Sequence, residues 1–366
     1  MSKEIQEILK KIPHLDANKK AILATVVDVV GSGYRRPGAR MLIDENGYSV
    51  GTVSGGCLEA DVLERAKKVL ETGEPTLITY DTTKDENSVF GLSMGCRGIV
   101  RILLEKVSDE NVYFDFLRGV FEERKNFTMA TLISSITENL NVGMRIFRQD
   151  SKITVNGLNP HIPNDLLEKI KQISTEKLPE IETFDFGEVF FETVNPPLNL
   201  LLFGTGYDAL PLIDFAKEIG WRVTAIDHRA AFANKERLPK ADEIIVSNSE
   251  DLPDEIFADE TSFAVVMTHN YDRDREILRR LMNSKCQYIG ALGPKKRTEK
   301  LLAEIGEDFD ETQLTKLHAP VGLDIGAATP EAIALSIVAE IQAVMSGRKG
   351  GFLRNRQGSI YERQPT

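Results

Sequence analysis

Cysteine is scarce in this sequence: Cys57, Cys96 and Cys286 are the only three in 366 residues. So few, and odd in number, they argue against a disulfide framework and for reduced thiols. No CxxC pair, no HExxH motif and no run with zinc-site spacing occurs. Long apolar stretches are missing too, and none approaches the roughly 20 residues that span a bilayer. The amino-terminal MSKEIQEILKKI carries charges at helical spacing and lacks the apolar core and small-residue cleavage site of a secretory signal. A cytoplasmic protein with no membrane association is expected. Basic residues are outnumbered, 45 Lys and Arg against 56 Asp and Glu. The acidic residues are spread along the chain rather than massed in a tail, and this balance disfavours general nucleic-acid binding, although a local pocket can still oppose the global sign. Neither an internal repeat nor a low-complexity segment is evident.

What is present fits two globular domains by length, with enough apolar residues for a core in each. Ala21–Val30 is a dense β-branched run, hence a buried strand. Met41–Ile43 and Tyr48–Val50 flank Asn46-Gly47 as a hairpin. A helical pattern from Leu58 to Leu70 stops at Gly73. A mixed α+β domain is expected over 1–195. The prolines of Asn195-Pro196-Pro197 end it, since they remove backbone donors and fix φ. Beyond them, Leu198–Phe203, Val223–Ile226, Ile244–Val246, Phe263–Met267 and Tyr288–Leu292 read as strands alternating with helices. That alternation predicts an α/β, Rossmann-like parallel sheet over 196–348. A tail over 349–366 completes the chain.

The strand Leu198–Phe203 runs into Gly204-Thr205-Gly206-Tyr207-Asp208-Ala209, a G-x-G-x-x-A loop. Gly204 permits a tight turn, Gly206 a close approach of phosphate, and Ala209 close packing of the helix on the sheet. Asp227 ends the next strand, where it is placed to accept a ribose hydroxyl. These features predict binding of a nucleotide or a pterin phosphate. His269, just past Phe263–Met267, is the candidate proton donor should the loop serve an NAD(P)-dependent oxidoreductase, with Asp272 to orient it. The alternative for this pair is a loop hydrogen bond from His269 and a helix cap from Asp272.

In the first half, Ser54-Gly55-Gly56-Cys57 falls where a strand gives way to a helix. A thiolate there is favoured by the helix dipole, and Gly55 and Gly56 allow a ligand to come close. Gly95-Cys96-Arg97-Gly98 offers similar chemistry. Arg35, Arg36 and Arg40 lie near the first loop and could clamp an anion. Cys57 and Cys96 are the candidate functional thiols, against the alternative that both are small buried hydrophobes. Cys286 has no such context and reads as structural.

Gly31-Ser32-Gly33-Tyr34-Arg35-Arg36-Pro37-Gly38-Ala39-Arg40-Met41, Gly51-Thr52-Val53-Ser54-Gly55-Gly56-Cys57-Leu58-Glu59 and Gly95-Cys96-Arg97-Gly98 resemble the signatures of the XdhC/CoxI family. Thr268-His269, Tyr288 to Gly293 and Pro320 to Ala327 resemble that family's Rossmann domain. The resemblance implies an accessory factor of xanthine dehydrogenase, a chaperone rather than a catalyst. It would bind molybdopterin, the molybdenum cofactor, with or without a nucleotide extension. It would deliver the sulfurated cofactor to a molybdenum hydroxylase apoenzyme. A cysteine desulfurase partner belongs to the same expectation, the thiol chemistry of Cys57 adds a contact to molybdenum, and a homodimer is the default expectation for the oligomeric state.

Overall fold

The computed structural model describes residues 2–12, 21–31, 33–81, 83, 98–107, 112–156, 162–175, 178–257, 260–306 and 309–357. The chain divides into two compact units, Met1–Pro196 and Pro197–Thr366.

The first unit runs α1 (Ser2–Lys11), β1 (Ala21–Gly31), β2 (Arg40–Asp44), β3 (Ser49–Gly51), α2 (Glu59–Thr72), β4 (Thr76–Asp81) and β5 (Gly98–Val107). It continues α3 (Val112–Glu123), β6 (Phe127–Ser135), β7 (Arg145–Gln149), β8 (Lys152–Asn156), α4 (Asn164–Gln172), β9 (Glu180–Phe184) and β10 (Gly187–Val194). The second series repeats the first element for element. The sheets agree as well: antiparallel orders β3-β2-β1-β5-β4 and β8-β7-β6-β10-β9. The period-two alternation of a strand sorts side chains between two cores. Ile22, Ala24, Val26, Met41 and Ile43 pack with Val62, Ala66 and Val69 of α2. Ala21, Leu23 and Leu42 turn the other way and share a core with Met129, Phe147, Val194 and the helices α1 and α3.

This internal repeat corrects the expectation that the sequence holds none. Thr25 faces Arg40 across β1 and β2 as Thr131 faces Arg145 across β6 and β7. Leu23 faces Glu105 as Met129 faces Glu192. The four charged residues exchange partners between repeats: Arg40 Nη2 donates to Glu192 Oε1 at 2.5 Å, and Arg145 Nη1 donates to Glu105 Oε2 at 2.9 Å. Each arginine also donates to a glycine carbonyl two residues earlier, Gly38 or Gly143. Tyr113 lies between them, with its ring centroid 5.7 Å from Arg40 Cζ and 4.6 Å from Arg145 Cζ. Burial pushes the Tyr113 phenol up to about 12, with Arg40 and Arg145 opposing the rise and Glu192 and Glu105 adding to it.

The second unit begins β11 (Asn199–Phe203), α5 (Ala209–Glu218), β12 (Arg222–Asp227), β13 (Glu243–Val246), β14 (Ser262–Val266) and α6 (Tyr271–Met282). It ends β15 (Tyr288–Ala291), α7 (Lys295–Ile305), α8 (Glu311–Thr315), β16 (Leu317–His318) and α9 (Pro330–Met345). All strands are parallel, in the order β13-β12-β11-β14-β15-β16. This is the doubly wound order, and its direction reverses between β11 and β14, where α/β sheets bind ligands at the carboxyl ends of the strands. The Rossmann-like expectation holds. Residues Leu200, Leu202, Val223 and Val265 face α5 and α9, while Leu201, Phe203, Ala264 and Val266 face α6. Both faces of the sheet are covered, which explains the unbroken apolar run of β11.

Candidate functional site

The glycine loop lies at the switch point. Gly204 has φ +100°, and a Cβ on it would stand 2.4 Å from the Met267 carbonyl oxygen, so backbone packing against the end of β14 requires glycine there. Gly206 has ordinary φ, and its nearest neighbour in that direction is Asp208 Oδ1, 2.8 Å from the position of a Cβ. Asp208 precedes α5 without making a side-chain cap. Apart from Ala209 N, which donates to the Gly206 carbonyl at 3.3 Å, the start of α5 is left uncapped by Asp208, and its dipole favours an anion there, although the Asp208 carboxylate stands beside it.

Asp227 is buried at the end of β12 and is already occupied. It accepts from Thr205 N at 2.9 Å, Thr205 Oγ1 at 3.1 Å, Arg229 N at 3.0 Å, Arg229 Nε at 2.9 Å and Arg229 Nη2 at 2.8 Å. Burial opposes its ionisation, but the donors from Arg229 and Thr205 prevail and hold the carboxyl far below the usual range. Its role in this structure is to clasp the glycine loop to β12. The expected ribose contact would have to displace Arg229.

His269 adopts φ +58° and places Nε2 2.7 Å from Asp208 Oδ2. Its partner is thus the acid inside the glycine loop, not the expected Asp272, which pairs with Arg275 at 3.2 Å. The cap of α6 is Asn270, which accepts from Arg273 N, and not Asp272. Asp208 is a site residue that spacing alone does not single out, although an acid inside a phosphate-binding fingerprint is itself a signal.

In the first unit, Cys57 is exposed in the loop between β3 and α2, two residues before the helix begins. The loop's donors do not face it freely. Glu59 accepts from Ser54 N at 2.8 Å and Gly56 N at 3.0 Å, and also from the hydroxyls of Thr52 and Ser54. Burial raises the Glu59 carboxyl, yet the Ser54 and Thr52 hydrogen bonds bring it below its ordinary value. A carboxylate from the loop's own helix thus fills the donors expected to favour a thiolate or a bound anion.

The three arginines divide. Arg40 is corrected as a clamp residue: its guanidinium is 1% exposed and pairs with Glu192 inside the core. Arg35 pairs with Glu4, whose other oxygen accepts Arg40 N at 2.7 Å. Arg36 is half-buried in the same loop. Tyr34 brings that loop onto the cysteine loop, its ring 3.1 Å from where a Cβ on Gly55 would lie. Cys96, with Gly95 and Arg97, lies outside the described residues. Cys286 is buried, as its context predicts. Brief alkylation of the native protein should therefore label the Cys57 peptide and spare the Cys286 peptide until denaturant is added. Peptide mapping by mass spectrometry checks this, and equal labelling of both would contradict it.

Residues 200–341 match the XdhC Rossmann domain, and residues 14–81 match the XdhC and CoxI family. A Bacillus subtilis (strain 168) protein named as a probable subunit of xanthine dehydrogenase is 33% identical over 329 residues, covering 89% of this chain and 94% of that one. The molybdenum cofactor insertion chaperone PaoD of Escherichia coli (strain K12) is 23% identical over 334 residues, covering 90% of this chain and 85% of its own. The crystal structure of a xanthine dehydrogenase from Bacillus halodurans matches with a TM-score of 0.78 at 31% identity, over 95% of this chain and 97% of that one.

Proposed function

This chain belongs to the XdhC and CoxI family, and we propose that it is a chaperone that holds molybdopterin by its phosphate and delivers the cofactor, after sulfuration, to a xanthine dehydrogenase-type hydroxylase. The names of the B. subtilis and E. coli relatives support the cargo and the recipient. The observation that carries the reading is the glycine loop at the switch point, closely packed at Gly204 and leading into a helix start without a side-chain cap. An oxyanion is the group such a turn takes best. Cys57, exposed on its loop, supplies a soft donor suited to a dithiolene-bound metal. A cysteine desulfurase as sulfur source and a homodimer complete the proposal.

The competing nicotinamide reading is weakened by Asp227, whose carboxylate is taken by Thr205 and Arg229 rather than offered to a ribose. The decisive experiment is mass spectrometry and metal analysis of protein purified from cells that make molybdopterin. Co-purifying molybdopterin supports the chaperone, whereas a bound nicotinamide dinucleotide, or oxidation of NADH by the pure protein, sinks it. A loop variant adds a quantitative test. Gly206→Val sets a branched side chain where phosphate oxygens must approach and crowds Asp208, already 2.8 Å from the position of a Cβ. Phosphate-ligand affinity should fall at least tenfold, roughly 1.4 kcal/mol, in a folded protein. Titration calorimetry with unchanged affinity in the folded variant would remove the loop from the proposal.

A further inference from the structure

Beside the glycine loop, four side chains form a ladder whose last rung is left open. Arg229, held on Asp227, lies over the Phe232 ring with Cζ 4.0 Å from its centroid. Arg237 lies 4.8 Å from the same ring and 4.7 Å from the ring of Tyr207. Tyr207 sits between Gly206 and Asp208 in the loop itself and is 77% exposed. An aromatic ring in contact on one side with a guanidinium and otherwise open to water gains from a second flat partner.

The cation makes a second, independent observation. Arg237 Nε and Nη2 are buried atoms with no hydrogen-bond partner, and no carboxylate pairs with Arg237 among the described residues. A guanidinium held by rings alone leaves positive charge uncompensated next to the phosphate loop, which suits an anionic ligand. Asp227, by contrast, is closed to ribose. The features agree on a ligand with a phosphate at one end and a flat ring near it.

Resting on the phosphate reading of the glycine loop, we propose that Tyr207 is the stacking platform for the flat heterocycle of a phosphate ester, and that Arg237 is the positioning residue that holds Tyr207 and supplies the matching charge. A pterin and a nucleobase share this chemistry. Calorimetric titration should use 6-hydroxymethylpterin phosphate, CMP and ribose 5-phosphate against the full chain and its Tyr207→Ala, Tyr207→Phe and Arg237→Met variants. A ring-bearing ester is expected to bind about tenfold more tightly than ribose 5-phosphate, in keeping with stacking on an aromatic side chain. Whichever of the first two ligands shows the larger advantage identifies the ring. Tyr207→Ala should abolish that advantage while ribose 5-phosphate binds as before, and Tyr207→Phe should keep it. Arg237→Met should weaken every anion and flatten the salt dependence of binding. If all three ligands bind the wild type equally, or Tyr207→Ala keeps the ring preference, the platform is wrong while the phosphate loop stands. If the wild type binds none of the three, the phosphate reading fails and takes the platform with it.

Discussion

Replacing Glu192 by alanine is expected to destabilise the first unit by about 3–5 kcal/mol, because it strips a buried cation of its counter-charge. Arg40 is 1% exposed, and Glu192 supplies its carboxylate at 2.5 Å. Without that partner the guanidinium keeps the Gly38 carbonyl and the Tyr113 ring, neither of which carries a charge to balance it. Its large desolvation penalty is then opposed by charge only through the weaker field of Glu4. Glu105→Ala should do the same to Arg145, since the repeat gives that residue an equivalent setting. Removing both members of a pair is a different matter. Arg40→Met with Glu192→Leu leaves no charge to desolvate and should recover most of the loss. The only tryptophan, Trp221, lies in the second unit, so far-UV circular dichroism is the better probe of denaturant unfolding here. A Glu192→Ala midpoint equal to that of the wild type, with equal slope, would show that Arg40 finds water or another partner, and the proposed clasp between repeats would fail.

The same pairs show what a single sequence conceals. The parallel sheet of the second unit is readable because local patterns build it: apolar runs of strand length, helices between them, and a glycine loop at the first turn. The duplication in the first unit is not readable. Its signal rests on a few residues, Thr25 and Thr131, Gly38 and Gly143, Arg40 and Arg145, Glu105 and Glu192. Between them the repeats retain little more than apolar character, which any β-sheet core would show. Arg40 misleads for a related reason. An arginine in a glycine-rich loop suggests an anion site, and its true partner lies 152 residues away. Pairing at that range is a property of the fold and leaves no mark on local spacing. His269 and Asp208 meet in the same way, over 61 residues. Asp227 does end its strand as its spacing predicts, but its role depends on Arg229 folding back across only two residues. Glu59 is visible as part of a motif, yet that it fills the donors of its own loop follows from the turn between β3 and α2, which the sequence does not specify.

The glycine loop offers the second large effect, and the two glycines should respond differently. Gly204→Ala is expected to destabilise the second unit by about 2–5 kcal/mol and to abolish phosphate binding. Two costs combine. The left-handed φ of +100° is unfavourable for any residue with a Cβ. That Cβ would also lie 2.4 Å from the Met267 carbonyl oxygen and 2.7 Å from Thr268 Cα, backbone atoms at the end of β14 that cannot rotate away. Gly206→Ala meets neither obstacle. Its φ is ordinary, and the atom nearest its Cβ is the end of the Asp208 side chain, at 2.8 Å. Asp208 can swing aside by giving up its hydrogen bond to His269, so this variant should stay folded and bind phosphate with a smaller loss. Trp221 is buried and packs in the core between the sheet and α5, so its fluorescence follows unfolding of this unit directly. If Gly204→Ala unfolds at the wild-type midpoint, the end of β14 can retreat and the glycine is kept for another reason. If it stays folded and still binds phosphate, the turn at Gly204 does not shape the anion site, and the helix start alone must account for it.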